Sequence, residues 1–158
     1  MAEEGKKDGY IELAFGPRWK YIAVVRGFVQ NFLAVSLADD AKADKIAMAA
    51  SELLENAVKY ANGEETKVSM TVTPDKARAM TISVSNKATP DSIKTVKELF
   101  AKVMAGDPLE AYVAMMREAA TRSDGKSQLG LVRIRYETGC KLSLETTDDT
   151  VKFTLILE

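Results

Sequence analysis

Three side chains with complementary chemistry, Glu52, Asn56 and Lys59, fall within one predicted helix. At about 100° per residue Glu52 and Asn56 lie one above the other, and Lys59 follows on the same side. The apolar residues of the stretch, Ile46, Ala49, Ala50, Leu53, Leu54, Ala57, Val58 and Ala61, recur at three- and four-residue spacing and make one broad buried face. The carboxylate, the amide and the ammonium therefore line the margin between core and solvent. A helix can hold a metal-bound polyphosphate there: the amide oxygen suits a hard cation, the carboxylate can take a proton, and the ammonium meets phosphate charge. The same residues at a helix margin are also ordinary solvated groups, and Glu55–Lys59 has the spacing of a surface ion pair contributing a few tenths of a kcal/mol.

Composition narrows the classes. The 158 residues are one domain's worth, 46% hydrophobic and 28% charged with a net charge of −1. Neither a nucleic-acid footprint nor a polybasic membrane patch is indicated. No apolar run approaches the roughly 20 residues of a membrane span, and the polar start Met1–Gly9 does not read as a signal peptide, so the expected location is cytoplasmic. The single Cys140 has no disulfide partner within the chain and reads as a small buried residue in a strand-like segment. With no histidine present, imidazole metal sites, imidazole bases and a phospho-accepting histidine are excluded for these residues.

The elements that must position the three side chains follow from periodicity. Residues 1–9 read as a disordered tail, and Tyr10–Phe15 alternates as a short strand. Gly16-Pro17 opens a helix with proline at its first position and a stripe of Ile22, Val25, Phe28, Val29, Phe32 and Leu33. Capping residues at Ser36–Asp40 precede the Glu52 helix, which runs to about Ala61. After Asn62-Gly63, Lys67–Val72 and Ala79–Val84 form a hairpin through Pro74-Asp75. Thr89-Pro90 starts a helical stretch that Gly106 stops, and Asp107-Pro108 starts another, with Tyr112, Met115, Met116 and Ala119 turned inward. Arg122–Ser127 is a polar loop, Leu129–Thr138 a short helix closed by Gly139, and Cys140–Leu144 and Thr150–Leu157 are the last two strands. The pattern predicts an α+β two-layer sandwich, a mixed and mostly antiparallel sheet with helices on one face, as a single domain over residues 10–158.

Glu52-x-x-x-Asn56-Ala-Val-Lys59-Tyr60 resembles the N-box of the GHKL (Bergerat-fold) ATPase superfamily, which includes histidine-kinase ATPase domains and anti-sigma-factor serine/threonine kinases. The element order is similar to the compact version in those kinases over roughly residues 10–157, with a helical insert at about 90–123 where the family has an ATP lid. The resemblance implies ATP and Mg²⁺ as cofactors, with Asn56 holding the metal, Glu52 as general base, and Lys59 and Tyr60 in the nucleotide site. The superfamily's adenine motif, Asp-x-Gly-x-Gly, corresponds to Asn86-Lys87-Ala88-Thr89-Pro90, so Asn stands for Asp, and Ala and Pro stand for the glycines. An Asn oxygen still accepts one hydrogen bond from adenine, without the charge that strengthens it. Gly125-Lys126-Ser127-Gln128-Leu129-Gly130-Leu131 resembles the second glycine box, with Lys126, Gly130 and Leu131 near phosphate; the same segment also reads as a connector before a capped helix. Thr150 stands in place of a Thr that lies near adenine.

Three functions follow from the resemblance. One is a protein serine/threonine kinase of a bacterial partner-switching pathway, acting on a small antagonist protein or a sigma-type regulator. The alternative is a catalytically degenerate interaction module that binds a regulator without phosphorylating it, which the altered adenine motif favours. The third is an ATPase module working beside a histidine-bearing partner. Met104, Met115 and Met116 of the insert read either as core or as an adaptable apolar surface for a partner or a second subunit, so a homodimer is also open.

Overall fold

The computed structural model describes residues 9–37, 39–72, 80–121 and 129–157. The expected tail up to residue 8, the Pro74-Asp75 turn and the 122–128 segment with Gly125, Lys126 and Gln128 lie outside the described residues. The elements run β1 (Gly9–Phe15), α1 (Trp19–Leu37), α2 (Asp40–Tyr60), β2 (Thr66–Val72), β3 (Met80–Lys87), α3 (Pro90–Met104), α4 (Pro108–Thr121), α5 (Leu129–Thr138), β4 (Lys141–Thr146) and β5 (Thr150–Leu157). Gly9, read as tail, belongs to β1.

The five strands form one sheet in the order β1-β2-β3-β5-β4. Each of the four pairings is antiparallel. Alternation decides which face is covered. Val68, Met70 and Val72 of β2, Met80, Ile82 and Val84 of β3, and Val151, Phe153 and Leu155 of β5 are buried. The residues between them, such as Lys67, Ser69, Thr81 and Ser85, are at least partly exposed, so the helices cover one face. On the open face Ser83 and Thr154 hydroxyls meet at 3.1 Å across β3 and β5.

The α2 helix begins where the sequence marks a cap: Asp39 Oδ1 accepts the Lys42 N–H at 3.1 Å, with Asp40 in the first turn. Its face Ile46, Ala49, Ala50, Leu53, Leu54 and Ala57 is buried, and the many alanines let α1 and the sheet approach closely. The α1 helix departs from its expectation at both ends of the argument. Pro17 is buried but not helical; the Arg18 N–H is donated to the Gly16 carbonyl at 2.8 Å, a tight turn that the fixed φ of proline suits, and the helix starts at Trp19. Phe28, assigned to the stripe, is exposed, and Phe32 is only partly buried.

The insert is built onto α5. Thr89 caps α3 by accepting the Ser92 N–H at 3.1 Å, and Pro90 stands in the first turn where its missing N–H costs nothing. At the other end Arg135 of α5 donates to the carbonyls of Val103 at 3.0 Å and Gly106 at 2.7 Å. Those donors satisfy oxygens that a helix terminus leaves without a partner. Gly106 and Gly139 take φ of 63° and 69°, the left-handed conformation that stops a helix. Tyr112 stacks on Tyr136 with centroids 5.0 Å apart. Met115 is buried, whereas Met116, expected inward, and Met104 are exposed.

Leu53 is fully buried between α2 and the sheet. Leu53→Ala should therefore cost about 2–5 kcal/mol, measured by denaturant unfolding, with Glu52→Ala changing stability far less.

Candidate functional site

Glu52 sits where α2 meets the start of α5. The site there depends on a missing side chain: a Cβ on Gly130 would overlap the Glu52 carboxylate. A side chain there would displace the carboxylate from its present seat, so the glycine leaves room for it between the two helices. Leu131, the next residue, is buried in the core and anchors that turn.

The environment of Glu52 is mixed. Its side chain keeps 25% of its exposure and lies 3.6 Å from the Arg133 guanidinium, which also stands 3.5 Å from Glu137 one turn on. Burial pushes the Glu52 carboxyl above the ordinary carboxylate range, and the neighbouring Glu55 adds to the rise. Arg133 opposes both, and the balance remains upward. A raised carboxyl is the direction a proton acceptor working near neutrality requires.

A cavity of about 690 Å³ opens on this side, lined by Asp44, Lys45, Met48, Ala49, Glu52, Arg133, Ile134, Tyr136, Glu137 and Thr138. A second, of about 540 Å³, lies at the ends of β2, β3 and β5, lined by Gly63, Glu64, Glu65, Lys67, Ser85, Asn86, Lys87 and Thr150. The structure thus brings Asn86 and Thr150 together, and Glu52 and Gly130 together, in two places. Asn56, half-buried, stands between them on α2, one turn from Glu52. Lys59 is exposed, its ammonium 5.4 Å from the centroid of the half-buried Tyr60 ring. Lys126 lies outside the described residues.

Backbone bonds hold the second place in position. The Asn62 N–H is donated to the Lys87 carbonyl at 2.7 Å, tying the end of α2 to the end of β3, and the Ala88 N–H to the Asp149 carbonyl at 2.8 Å. Asn86 is buried, and its Nδ2 donates to the Lys87 carbonyl at 2.9 Å. Its side-chain oxygen remains an acceptor. Directly across the β2–β3 pair is Thr66, fully buried, whose hydroxyl has no hydrogen-bond partner. An orphaned buried hydroxyl is costly, and beside Asn86 it is a polar pair fit for a heterocycle edge. Against that fit, Ala88 is buried with its N–H engaged, and Thr89-Pro90 serve as a helix cap rather than as a pliant loop.

Sequence reasoning missed Arg133, Thr66 and the groove residues Met48 and Tyr136. Thr66 falls just before the expected strand start at Lys67, and Arg133 gains its role only through the α2–α5 contact. Among the described residues no group of three or more Cys, Asp or Glu side chains is placed to hold a metal. Mg²⁺ is commonly held by one or two protein oxygens, with waters and phosphate oxygens completing its shell. Among the described residues, no helix is long and apolar enough to cross a membrane.

The histidine kinase-like ATPase domain family model matches residues 15–136. A chain in the crystal structure of the SiaB–SiaC complex from Pseudomonas aeruginosa has a similar fold, with a TM-score of 0.64 at 20% identity, over 92% of this chain and 88% of that one. No curated protein matches the sequence.

A raised carboxyl in the folded state stabilises the fold only while it is protonated; the contribution is lost as pH rises through the folded-state value. Glu52→Gln should therefore be more stable than the parent at neutral pH, with the advantage closing as pH falls from the raised folded-state value into the ordinary carboxylate range. Urea unfolding of both proteins at neutral and acidic pH checks this.

Proposed function

The chain belongs to the histidine kinase-like ATPase domain family, and from that premise we propose that it binds ATP with Mg²⁺ and transfers the terminal phosphoryl group to a Ser or Thr hydroxyl of a small partner protein. The observation that carries this reading is the half-buried Glu52 carboxylate, seated against Gly130 at the start of α5 and one turn from Asn56. Bound ATP-Mg would supply the phosphoryl group and the charge neutralisation its transfer needs. The chain's own residues do the rest. Asn56 offers an amide oxygen to the metal. Glu52 accepts the proton of the attacking hydroxyl, and its raised affinity for a proton suits that step. The N–H groups at the start of α5, with the positive end of its dipole, favour phosphate beside Gly130 and Leu131. Lys59 and Lys126 would add cationic charge. Asn86 accepts from the adenine amine, Thr66 offers its unpaired hydroxyl beside it, and Tyr60, Ala88 and Thr150 bound the adenine end.

A protein partner is in keeping with the fold's occurrence in a two-protein complex. Anti-sigma-factor kinases of partner-switching pathways are the closest functional analogy by motif, and the soluble, cytoplasmic location expected from the sequence belongs with it.

The second reading is an interaction module without catalysis. It rests on the closed adenine end: Ala88 in place of glycine with its N–H engaged, and Asn86 spending its amide nitrogen on the Lys87 carbonyl. Restoring the family's residue by Asn86→Asp would set a carboxylate oxygen against that carbonyl, which offsets the stronger bond to adenine.

Calorimetry with ATP, with and without Mg²⁺, separates the two. Binding should require the metal and weaken about tenfold or more in Asn56→Ala, equivalent to about 1.4 kcal/mol. Glu52→Gln should bind nearly as the parent does while transferring no phosphate. Absence of heat and of any thermal shift at millimolar nucleotide would leave the interaction module as the function.

A further inference from the structure

The α1 helix is apolar on more than one side. Ile22, Val25, Val29 and Leu33 face the core. To one side of that stripe, Tyr21, Val24, Phe28, Asn31 and Val35 follow one another at spacings of three, four, three and four residues. That is the heptad pattern of a helix–helix seam. Here it faces solvent: Val24 keeps 68% of its exposure, Phe28 44% and Val35 84%. A surface helix ordinarily turns charge to water, yet α1 carries no acid at all, and nothing charged follows Arg26 within it.

The seam also contains its own knob and hole. Val24, Gly27, Phe28 and Asn31 outline the diamond into which a side chain from a facing helix inserts. Nothing lies within 4 Å of where a Gly27 Cβ would stand. Glycine in an exposed helix interior costs about 0.5–1 kcal/mol relative to alanine, and no contact inside the monomer explains it. The geometry points to this face of α1 as a homodimer seam, on which α1 of a second copy lies antiparallel about a two-fold axis near Gly27 and Phe28.

The occupant is a second copy because the pattern is complementary to itself. Under the two-fold, Phe28 of each copy enters the gap left by Gly27 of the other, and Tyr21 at one end meets Val35 at the opposite end. An isologous contact uses the same patch twice, so a knob beside a hole satisfies both copies. Charge selects the same direction. Lys20 lies in the first turn of α1, whereas Asp39 and Asp40 follow directly after its last turn. An antiparallel pair brings Lys20 of one copy towards the Asp39–Asp40 end of the other, while a parallel pair would set like charges together. Asn31 is the one polar residue of the seam, of the kind that fixes register at some cost in stability.

Sedimentation velocity over a range of concentrations tests this without reference to nucleotide, and calorimetry with ATP on the same samples keeps the two readings separate. The full chain should sediment as a dimer that dissociates on dilution. Gly27→Leu places a good helix former in open space, so the diluted monomer should melt no lower than the parent, yet its dimer should weaken at least about tenfold. Val24→Glu, at a position already exposed, should do the same. Lys20→Glu should weaken association, and combining it with Asp40→Lys should restore it. A parent that remains monomeric at every concentration, or a Gly27→Leu protein that dimerises as the parent does, would overturn the seam.

Discussion

Everything at the candidate site depends on one packing constraint: a carboxylate held between two helices. Glu52 keeps its seat at the α2–α5 junction because residue 130 lacks a side chain; a Cβ there would push the carboxylate aside. The junction in turn needs α2 to lie flat on the sheet, which its alanine-rich face allows. Arg133 then limits what burial costs the carboxylate, and its second contact with Glu137 keeps the guanidinium from collapsing wholly onto Glu52. The result is a carboxyl group with a raised proton affinity in a partly open setting, where geometry rather than charge alone determines what it can do. Two residues further along α5, Arg135 carries the same helix's influence outward by holding the carbonyl end of α3. A single ten-residue helix thus positions the acid, balances it, and fastens the insert.

How far the sequence could be read follows from the range of each interaction. The buried face of α2, the β2–β3 pairing, the Thr89 cap and the stops at Gly106 and Gly139 were legible because each is written in residues a few positions apart. Periodicity and capping are local signals. Phe28 and Met116 were assigned to the core because apolar type and helical spacing cannot distinguish a face against the sheet from a face against something else. Pro17 was read as a helix start on a sound preference, but Gly16 allowed a tighter turn and moved the start to Trp19. Arg133 and Thr66 could not be read at all. Their partners lie far along the chain, and a threonine in an alternating strand gives no sign that its hydroxyl will be left unpaired beside Asn86.

The two ends of the site differ in what they ask of the backbone. The start of α5 has a glycine, and the space beside it is taken by the Glu52 carboxylate. The end of β3 has lost both glycines and has used the replacements: Ala88 fills a buried space and Pro90 begins α3. Such substitutions do not relax back on binding, because the N–H of Ala88 is already committed to the Asp149 carbonyl. The polar groups left at that end are side chains, Asn86 and the Thr66 hydroxyl, which has no partner. Under the proposed function they alone would meet the base, and most of the affinity would come from phosphates and metal.

The helix pair α1–α2 divides its surfaces in a consistent way. Each helix turns one face to the core and keeps a second face for something outside: on α2 the margin with Glu52 and Asn56, on α1 the stripe through Phe28. The two are joined across the pair, since Gln30 of α1 donates to Asp44 of α2 at 2.8 Å, and Asp44 lines the cavity that Glu52 lines. Gln30 is also three residues from Gly27, on the neighbouring turn of α1. The α1 surface and the wall of the Glu52 cavity are therefore neighbours across the helix pair, connected by the Gln30–Asp44 hydrogen bond.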